Sequence, residues 1–221
     1  MDGTGRDGTT AGRPLRRDAR RNRERIVAAA RELFAERGLD VGFNEIAHRA
    51  GVGVGTVYNR FADRDELVLA ALEQPGDEVL ALAGRARTAT RAVDGLGALL
   101  EGAAAALAEN LGLRSLVLTA DPGVLPAVGG AISTVLVELL ERAVAEGDVR
   151  PDVVVEDVRI ALWMVTEVAR HSAEVQPDLY RRYLQVVLDG LRAGSARGPL
   201  RVAPAPDLQD VSRHWAGLPR A

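Results

Sequence analysis

Hydrophobic residues recur at spacings of three and four along much of the chain, which is the pattern of helices with one buried face. Between about Asn22 and Arg37 the apolar positions are Ile26, Val27, Ala30, Leu33 and Phe34. Gly38 follows and is expected to end this first helix, because glycine adopts a left-handed backbone at little cost.

The chain from Asp77 onward predicts helices and no strands. The approximate spans are 77–87, 92–110, 124–146, 155–175 and 178–193. In the last of these, Tyr183 and Val186 lie apart from the main apolar face. A helix that is apolar on two sides can pack one side against the core of its own domain and the other against a second partner. Packing of both sides within the domain interior is the alternative explanation. The pattern as a whole predicts an all-α fold.

The stretch from Phe43 to Leu67 predicts two short helices joined by a glycine corner, followed by the start of a longer helix. Ala47, Gly51 and Val57 stand at offsets 0, +4 and +10. A small residue lets two helices cross closely, a glycine forms the corner, and a branched apolar residue anchors the second helix. This spacing predicts a helix-turn-helix unit.

Capping and helix-breaking residues suggest where the chain divides. Asp63 predicts the N-cap of a fourth helix, with Glu66 completing a capping box, and Pro75-Gly76 predicts its end and a hinge. The expected organisation is a disordered tail at 1–14, a helix-turn-helix domain with a basic arm at 15–74, a helical domain at 77–193 and a mostly disordered tail at 194–221.

The net charge of −3 is unevenly distributed. From Arg13 to Arg31 there are eight arginines against only Asp18 and Glu24. A basic segment on an otherwise acidic chain is typical of a protein that presents one end to nucleic acid, and a solvated tail without a partner is the alternative.

Other function classes find little support in the sequence. The chain has no cysteine, which excludes disulfides, thiolate catalysis and Cys-ligated zinc. No serine stands in a nucleophile elbow, no pair of carboxylates suggests an acid and a base, and nothing completes a metal site beside Glu45 and His48. No enzyme activity, metal or cofactor is therefore expected. With no leader and no apolar run near 20 residues, a cytoplasmic protein without a membrane span is expected.

Several motifs between Arg25 and Leu72 resemble the DNA-binding domain of the tetracycline-repressor (TetR) family. They are ERIVAAARELFAERG, NEIAHRAGVGVGTVYNRF and DRDEL. Gly42 and Gly53 depart from the family pattern, which usually has Thr or Ser at the first position and often Ser at the second, so two hydroxyls for phosphate contacts are absent. The resemblance implies a homodimeric regulator, most simply a repressor, that releases a near-palindromic operator in double-stranded DNA when an unknown small-molecule effector binds.

A helix-turn-helix unit lays its second helix in the major groove, so that helix supplies most of the expected DNA contacts. Thr56 and Tyr58 suit phosphate contacts, Asn59 can pair with an adenine edge, and the resemblance adds Arg64 as a phosphate contact at the start of the fourth helix. The full set of expected DNA-binding residues is Asn44, Gly53, Val54, Gly55, Thr56, Tyr58, Asn59 and Arg64.

Two further sites are expected in the helical domain. An effector pocket needs apolar walls with a few polar anchors, and the candidates are Arg114, Trp163, Met164, Glu167 and His171. Glu167 and His171 stand four residues apart, so an ordinary side-chain pair at an interface is the alternative for them. The resemblance implies that the last two long helices form a four-helix bundle between subunits, with Ala161, Val165, Val168, Tyr183, Val187 and Leu191 at the interface. The alternative function is a helical ligand carrier or interaction module without sequence-specific DNA binding.

Overall fold

A computed structural model of the protein describes residues 12–118, 126–195 and 198–205. In these ranges the regular elements are helical, and extended pairing is limited to one bridge between Val149 and Arg192. The predicted all-α fold class is confirmed. The helices are α1 Gly12–Arg37, α2 Phe43–Ala50, α3 Val54–Tyr58, α4 Arg64–Arg87, α5 Ala92–Glu109, α6 Leu111–Leu118, α7 Pro126–Ala145, α8 Val155–Ser172 and α9 Leu179–Leu191, followed by a 3₁₀ turn at Ala193–Ser195.

One hydrophobic core lies among α1, α2, α3 and the first half of α4, a unit that we call the head. The face predicted for the first helix is buried there, with Ile26 and Phe34 fully enclosed. Val57 and Phe61 also point inward, as their spacing predicts. Asp63 caps α4 by accepting a hydrogen bond from the Glu66 amide at 2.8 Å, which confirms the expected N-cap.

Pro75 lies inside α4, and the helix runs through it without a break. The predicted helix end at Gln74, with a separate helix at 77–87, is therefore wrong. A proline has no N–H to donate to the carbonyl four residues earlier, which here belongs to Ala71. Arg31 of α1 replaces that donor, with Nε 3.2 Å from the Ala71 carbonyl oxygen and Nη1 2.7 Å from Gln74 Oε1. This substitution lets α4 continue from the head into the rest of the molecule.

The second core joins the second half of α4 to α5, α7, α8 and α9, and these helices with α6 form what we call the body. Its buried side chains are almost all aliphatic. Small residues allow close helix contacts: a Cβ on Gly95 would lie 2.4 Å from the Ala86 carbonyl oxygen, so only glycine permits the approach of α5 to the end of α4.

The hydrophobic pattern did not predict α6 as a separate helix, and this helix connects the body to the head. Leu116 belongs to the core of the head. A Cβ on Gly112 would lie 3.0 Å from the Cβ of Phe34, and a Cβ on Gly38 would lie 3.5 Å from Ser115 Oγ. The end of α1 therefore rests directly on α6.

The structure describes part of each predicted tail. Residues 12–14 belong to α1, while residues 1–11 lie outside the described part of the chain. After α9, Arg150 Nη2 donates to the Gly198 carbonyl at 2.8 Å, and Asp152 accepts from the Leu200 amide at 2.8 Å. Two side chains thus bind the backbone of 198–200, and the mostly disordered tail at 194–221 stays a prediction. Residues 206–221 lie outside the described ranges.

Candidate nucleic-acid interface and effector site

The corner between α2 and α3 is fixed by Gly51. Its φ is +63°, and its amide donates to the carbonyls of Ala47 and His48 at the end of α2. A left-handed residue at this point reverses the chain, so glycine avoids the cost that a side chain would bring. Arg25 of α1 donates from Nη2 to the Gly51 carbonyl at 3.2 Å. The predicted corner is confirmed, and a basic residue of α1 lies directly on it.

The outer surface of α3 presents the residues that the sequence assigns to DNA. Those that are exposed are Asn44 on α2 and Gly53, Val54, Gly55, Tyr58 and Asn59, while Thr56 is half-buried. Tyr58 is 65% exposed, and its ring meets that of Phe43 edge-on, with centroids 5.0 Å apart. That contact holds the aromatic ring while the phenol remains in solvent. The surface therefore combines accessible backbone at two glycines with an oriented hydroxyl and a carboxamide.

Arg64 differs from the others because its guanidinium makes contacts within the protein. Nη1 donates to the Val41 carbonyl at 2.9 Å, and the group lies 6.0 Å from the centroid of the Phe34 ring. In this structure Arg64 connects the start of α4 to the loop before α2. A phosphate contact through its remaining donors stays a prediction.

Two arginines of α1 contact residues on either side of α3, a position that the basic composition of the segment alone did not predict. Arg23 stacks on Phe61 with its guanidinium carbon 4.9 Å from the ring centroid, directly after α3. Further towards the N-terminus, Arg17, Arg20 and Arg21 are exposed. The contacts of Arg23 and Arg25 place the basic half of α1 beside α3. A positive potential there favours approach of a polyanion.

Acidic residues of α1 and α2 are paired with arginines of the same two helices. A hydrogen bond from Arg37 and a second from the Gly42 amide lower the pKa of Glu45. Hydrogen bonds to Glu36 and Glu32 raise the pKa of Arg49. These carboxylates are paired with guanidinium groups, so they oppose an incoming anion less than unpaired carboxylates would.

The structure brings together three of the five effector-site candidates, since His171 Nε2 lies 3.6 Å from the Glu167 carboxylate and Arg114, 53 positions before Glu167, also reaches it. Arg114 of α6 pairs with Glu167 of α8, and both side chains are largely buried. Trp163 lies half-buried one turn before Glu167. Met164 and His171 are exposed, and their assignment to the effector pocket stays a prediction. Adjacent residues of a helix point about 100° apart, which explains why Met164 turns outward where Trp163 does not.

A cleft of about 260 Å³ lies elsewhere in the body, between α5 and α9. Leu96, Leu188 and Leu191 are apolar members of its lining, and Asp94 and Gln185 are polar members. None of the five effector candidates lines this cleft.

Most of the residues predicted for the dimer interface are covered by the chain itself. Ala161 and Val165 are buried in the body of the single chain, and their assignment to the interface between subunits stays a prediction. The half-buried members Val168, Val187 and Leu191 pack against the same core. Helical periodicity identified the apolar face of α8 correctly, but α5 and α9 of the same chain cover that face.

Exposed apolar side chains nevertheless remain on both final helices. Tyr183 on α9 is 47% exposed, as the sequence assignment requires, and Val186 beside it is 61% exposed. Met164 on α8 is 47% exposed. These three side chains lie outside the positions that fill the core.

Comparisons with known proteins agree with this geometry. Residues 26–71 match the family of bacterial regulatory proteins called tetR, and residues 90–193 match the C-terminal domain of SbtR-like transcriptional regulators. A TetR transcriptional regulator from Streptomyces coelicolor is 30% identical, over 77% of this chain and 98% of that one, with a TM-score of 0.51. A gamma-butyrolactone receptor described as ArpA-like is 25% identical, over 89% of this chain and 97% of that one, with a TM-score of 0.59.

An HTH-type transcriptional regulator of Staphylococcus aureus (strain USA300) is 38% identical over 64 residues, which make up 28% of this chain and 35% of that protein. The chain thus matches about a third of the length of this curated relative. None of the described helices is long and apolar enough to cross a membrane. The helix-turn-helix geometry and the two domain matches together show that the chain belongs to the TetR family of DNA-binding transcriptional regulators.

Proposed function

We propose that this regulator is a homodimeric repressor that leaves a near-palindromic operator when a small molecule binds its body. The observation that carries the proposal is the outer surface of α3, where two glycines expose the backbone and Tyr58 and Asn59 face solvent. The major groove admits an α-helix, and small residues let that helix approach the base edges. A repressor of this kind works where the chromosome lies, which in a bacterium is the cytoplasm.

The side chains divide into those that position the protein and those that select a sequence. Tyr58 donates its hydroxyl to a phosphate, and the exposed arginines of α1 supply further phosphate contacts that carry affinity. Asn59 offers both a donor and an acceptor, the combination that an adenine edge requires. Asn59 is therefore the residue proposed to set sequence preference, and Thr56, being half-buried, contributes a contact at the rim of α3.

Dimerisation through α8 and α9 gives two copies of α3, and a twofold protein binds a site of matching symmetry. Support for this interface comes from the exposed apolar side chains Met164, Tyr183 and Val186, which a second copy would cover. Tyr183→Glu should weaken the dimer, because the charge would be buried on association. Gln185→Glu, which also adds a charge to an exposed position of α9, is the matched control.

Effector binding in the body changes DNA affinity only if it favours one arrangement of the heads over another. The structure offers two connections through which this preference can pass: α4, which is continuous through Pro75, and α6, which touches Phe34 in α1 and Gly38 just after it. One structural relative is named a gamma-butyrolactone receptor, and its similarity favours a small organic molecule as the effector.

The central experiment selects bound DNA from a random pool with the full-length protein and then measures affinity by fluorescence anisotropy across a range of salt concentrations. A specific repressor should yield one near-palindromic sequence and keep its preference over unrelated DNA at physiological salt. A carrier with a merely basic end would lose its affinity for all DNA sequences together as the salt concentration rises. Failure to enrich any sequence would refute the repressor.

Two variants separate positioning from sequence selection. Asn59→Ala should change which base is preferred at one position of each half-site, with other positions unaltered. Arg64→Ala should weaken binding to all DNA sequences alike. It should also reduce the slope of log affinity against log salt concentration by about one unit. Arg85→Ala, an exposed arginine in the last turns of α4, is the control and should leave slope and preference unchanged. An unaltered preference in Asn59→Ala would remove Asn59 from the base-reading role.

A further inference from the structure

A charged group in the interior of the body is incompletely neutralised. The Arg114 side chain on α6 is only 12% exposed and pairs with Glu167 on α8. Its Nε is buried and has no hydrogen-bond partner among the described residues. A buried guanidinium normally uses its donors, because an unsatisfied buried donor costs free energy. Arg114 therefore retains a donor that a bound group can use.

The carboxylate that neutralises Arg114 is shared with other groups. Arg170 donates to Glu167 Oε2 from Nε and Nη2 at 3.0 and 2.9 Å, and His171 Nε2 lies 3.6 Å from the same oxygen. One negative charge thus faces two permanent positive charges. Burial, followed by the repulsion of Arg170, lowers the pKa of Arg114, although Glu167 acts in the opposite direction. A second anion at this place would balance the cluster.

Apolar side chains lie next to the cluster on both helices. Leu113, which precedes Arg114, packs with Val79 and Leu107 in a small core that is separate from the main core of the body. Leu162 of α8 packs against both this small core and the main core of the body and is only partly buried. An arginine beside incompletely covered apolar surface fits a ligand with one anionic group on an apolar body.

From this arrangement we infer that the effector is a lipophilic carboxylate, which takes Arg114 from Glu167 by binding its guanidinium. The inference rests on the proposed effector response and specifies its chemistry. Arg114 lies on the helix whose other residues touch α1, since Gly112 meets Phe34 and Leu116 enters the core of the head. Exchange of partners by Arg114 would thus act on the helix that supports the head.

Binding can be measured at the cluster itself through Trp163. The chain has two tryptophans, so Trp215→Phe leaves Trp163 as the single indole fluorophore. In that background the full-length protein is titrated with decanoate and with decanamide, and binding is followed by Trp163 fluorescence. A second pair, 2-naphthoate and 2-naphthamide, is titrated by calorimetry. Each pair keeps the apolar body and changes only the charge. Wild type should bind each carboxylate at least about tenfold more tightly than its amide, as expected for a charge-assisted hydrogen bond.

Variants of the two partners should act in opposite directions. Arg114→Met keeps the side-chain length and should abolish the preference for carboxylate over amide. Glu167→Gln removes the competing carboxylate and should tighten carboxylate binding. If the pair only supported the fold, both variants would alter binding in the same direction or not at all. Arg91→Met is the control, since Arg91 pairs with Asp148 at 2.5 Å on the surface of the body, and it should leave the preference unchanged.

The result that overturns the inference is equal affinity for carboxylate and amide in wild type, or a preference that survives Arg114→Met. DNA binding without ligand is measured on the same samples by anisotropy. A protein that binds its selected DNA but releases it only with neutral or cationic compounds refutes the carboxylate and leaves the repressor intact. A protein that selects no DNA but prefers carboxylates through Arg114 refutes the repressor alone.

Discussion

Replacing Arg31 by methionine should destabilise the head by about 1–3 kcal/mol, because a buried carbonyl then has no donor. Ala71, whose carbonyl accepts from Arg31 Nε at 3.2 Å, is fully buried, so water cannot replace the guanidinium. The second bond, to Gln74 Oε1, lies at the surface and adds less than about 1 kcal/mol. Methionine retains most of the apolar stem, which limits the loss to the hydrogen bonds.

The same substitution should be nearly harmless once Pro75 is replaced by alanine. An alanine at this position has an N–H that donates to the Ala71 carbonyl, so Arg31 becomes redundant. The double-mutant cycle should therefore give a coupling free energy of about 1–2 kcal/mol between Arg31 and Pro75. Pro75→Ala alone should stabilise the protein, since a proline within a helix costs up to about 3 kcal/mol relative to alanine.

Urea unfolding followed by far-ultraviolet circular dichroism measures all four corners of the cycle. Protein concentration must be held constant, because association makes stability depend on it. Arg20→Met is the control: Arg20 pairs with Glu24 at 2.8 Å on the exposed side of α1, and its loss should cost less than about 1 kcal/mol. If Arg31→Met lowered the free energy of unfolding equally with and without Pro75, the idea that the arginine replaces the missing hydrogen bond to the Ala71 carbonyl would be refuted.

Three further predictions concern other parts of the chain. Tyr58→Phe should reduce operator affinity several-fold by anisotropy while leaving the melting temperature unchanged; unaltered affinity would show that the phenol makes no contact. Gly95→Ala should destabilise the body by about 1–3 kcal/mol, since its Cβ would lie 2.4 Å from a backbone oxygen of α4, whereas the control Gly97→Ala meets nothing within 4 Å and should not. Arg150 and the Leu200 amide hold the pKa of Asp152 well below its usual value. Asp152→Asn should therefore speed hydrogen exchange at Leu200 at neutral pH. In wild type the same protection should fade as the pH falls below about 4 towards the lowered pKa; equal exchange in the variant would exclude the contact.

The head could be predicted from the sequence because its determinants are local. Gly51 specifies a left-handed corner by itself, and Val57 and Phe61 indicate their inward face by being four residues apart. Asp63 and its capping partner lie within one turn. Each of these signals involves residues fewer than about ten positions apart, so their identity and spacing suffice.

The limits of prediction share a different cause, which is dependence on residues far away in the sequence. Pro75 reads as a helix end until Arg31, more than 40 positions earlier, supplies the missing donor. Ala161 and Val165 have the spacing of an apolar face, but periodicity cannot say whether the same chain or a partner covers that face. The pairing of Arg114 with Glu167 was likewise invisible until both helices had positions in space.

The contacts between head and body restrict how a signal can travel. If α4 were the only connection, the head would be held by a single helix, and the heads would be poorly positioned for a fixed operator spacing. The contact of α6 with Phe34 and Gly38 adds a second attachment, on the α1 side of the head. Two attachments leave mainly a rotation about the line that joins them, so a displacement of α6 relative to α4 turns the head in a defined direction. Arg31 keeps the α4 attachment stiff, and the partner of Arg114 influences where the α6 attachment lies. The effector response should therefore be lost when either attachment is loosened, even where DNA affinity without effector survives.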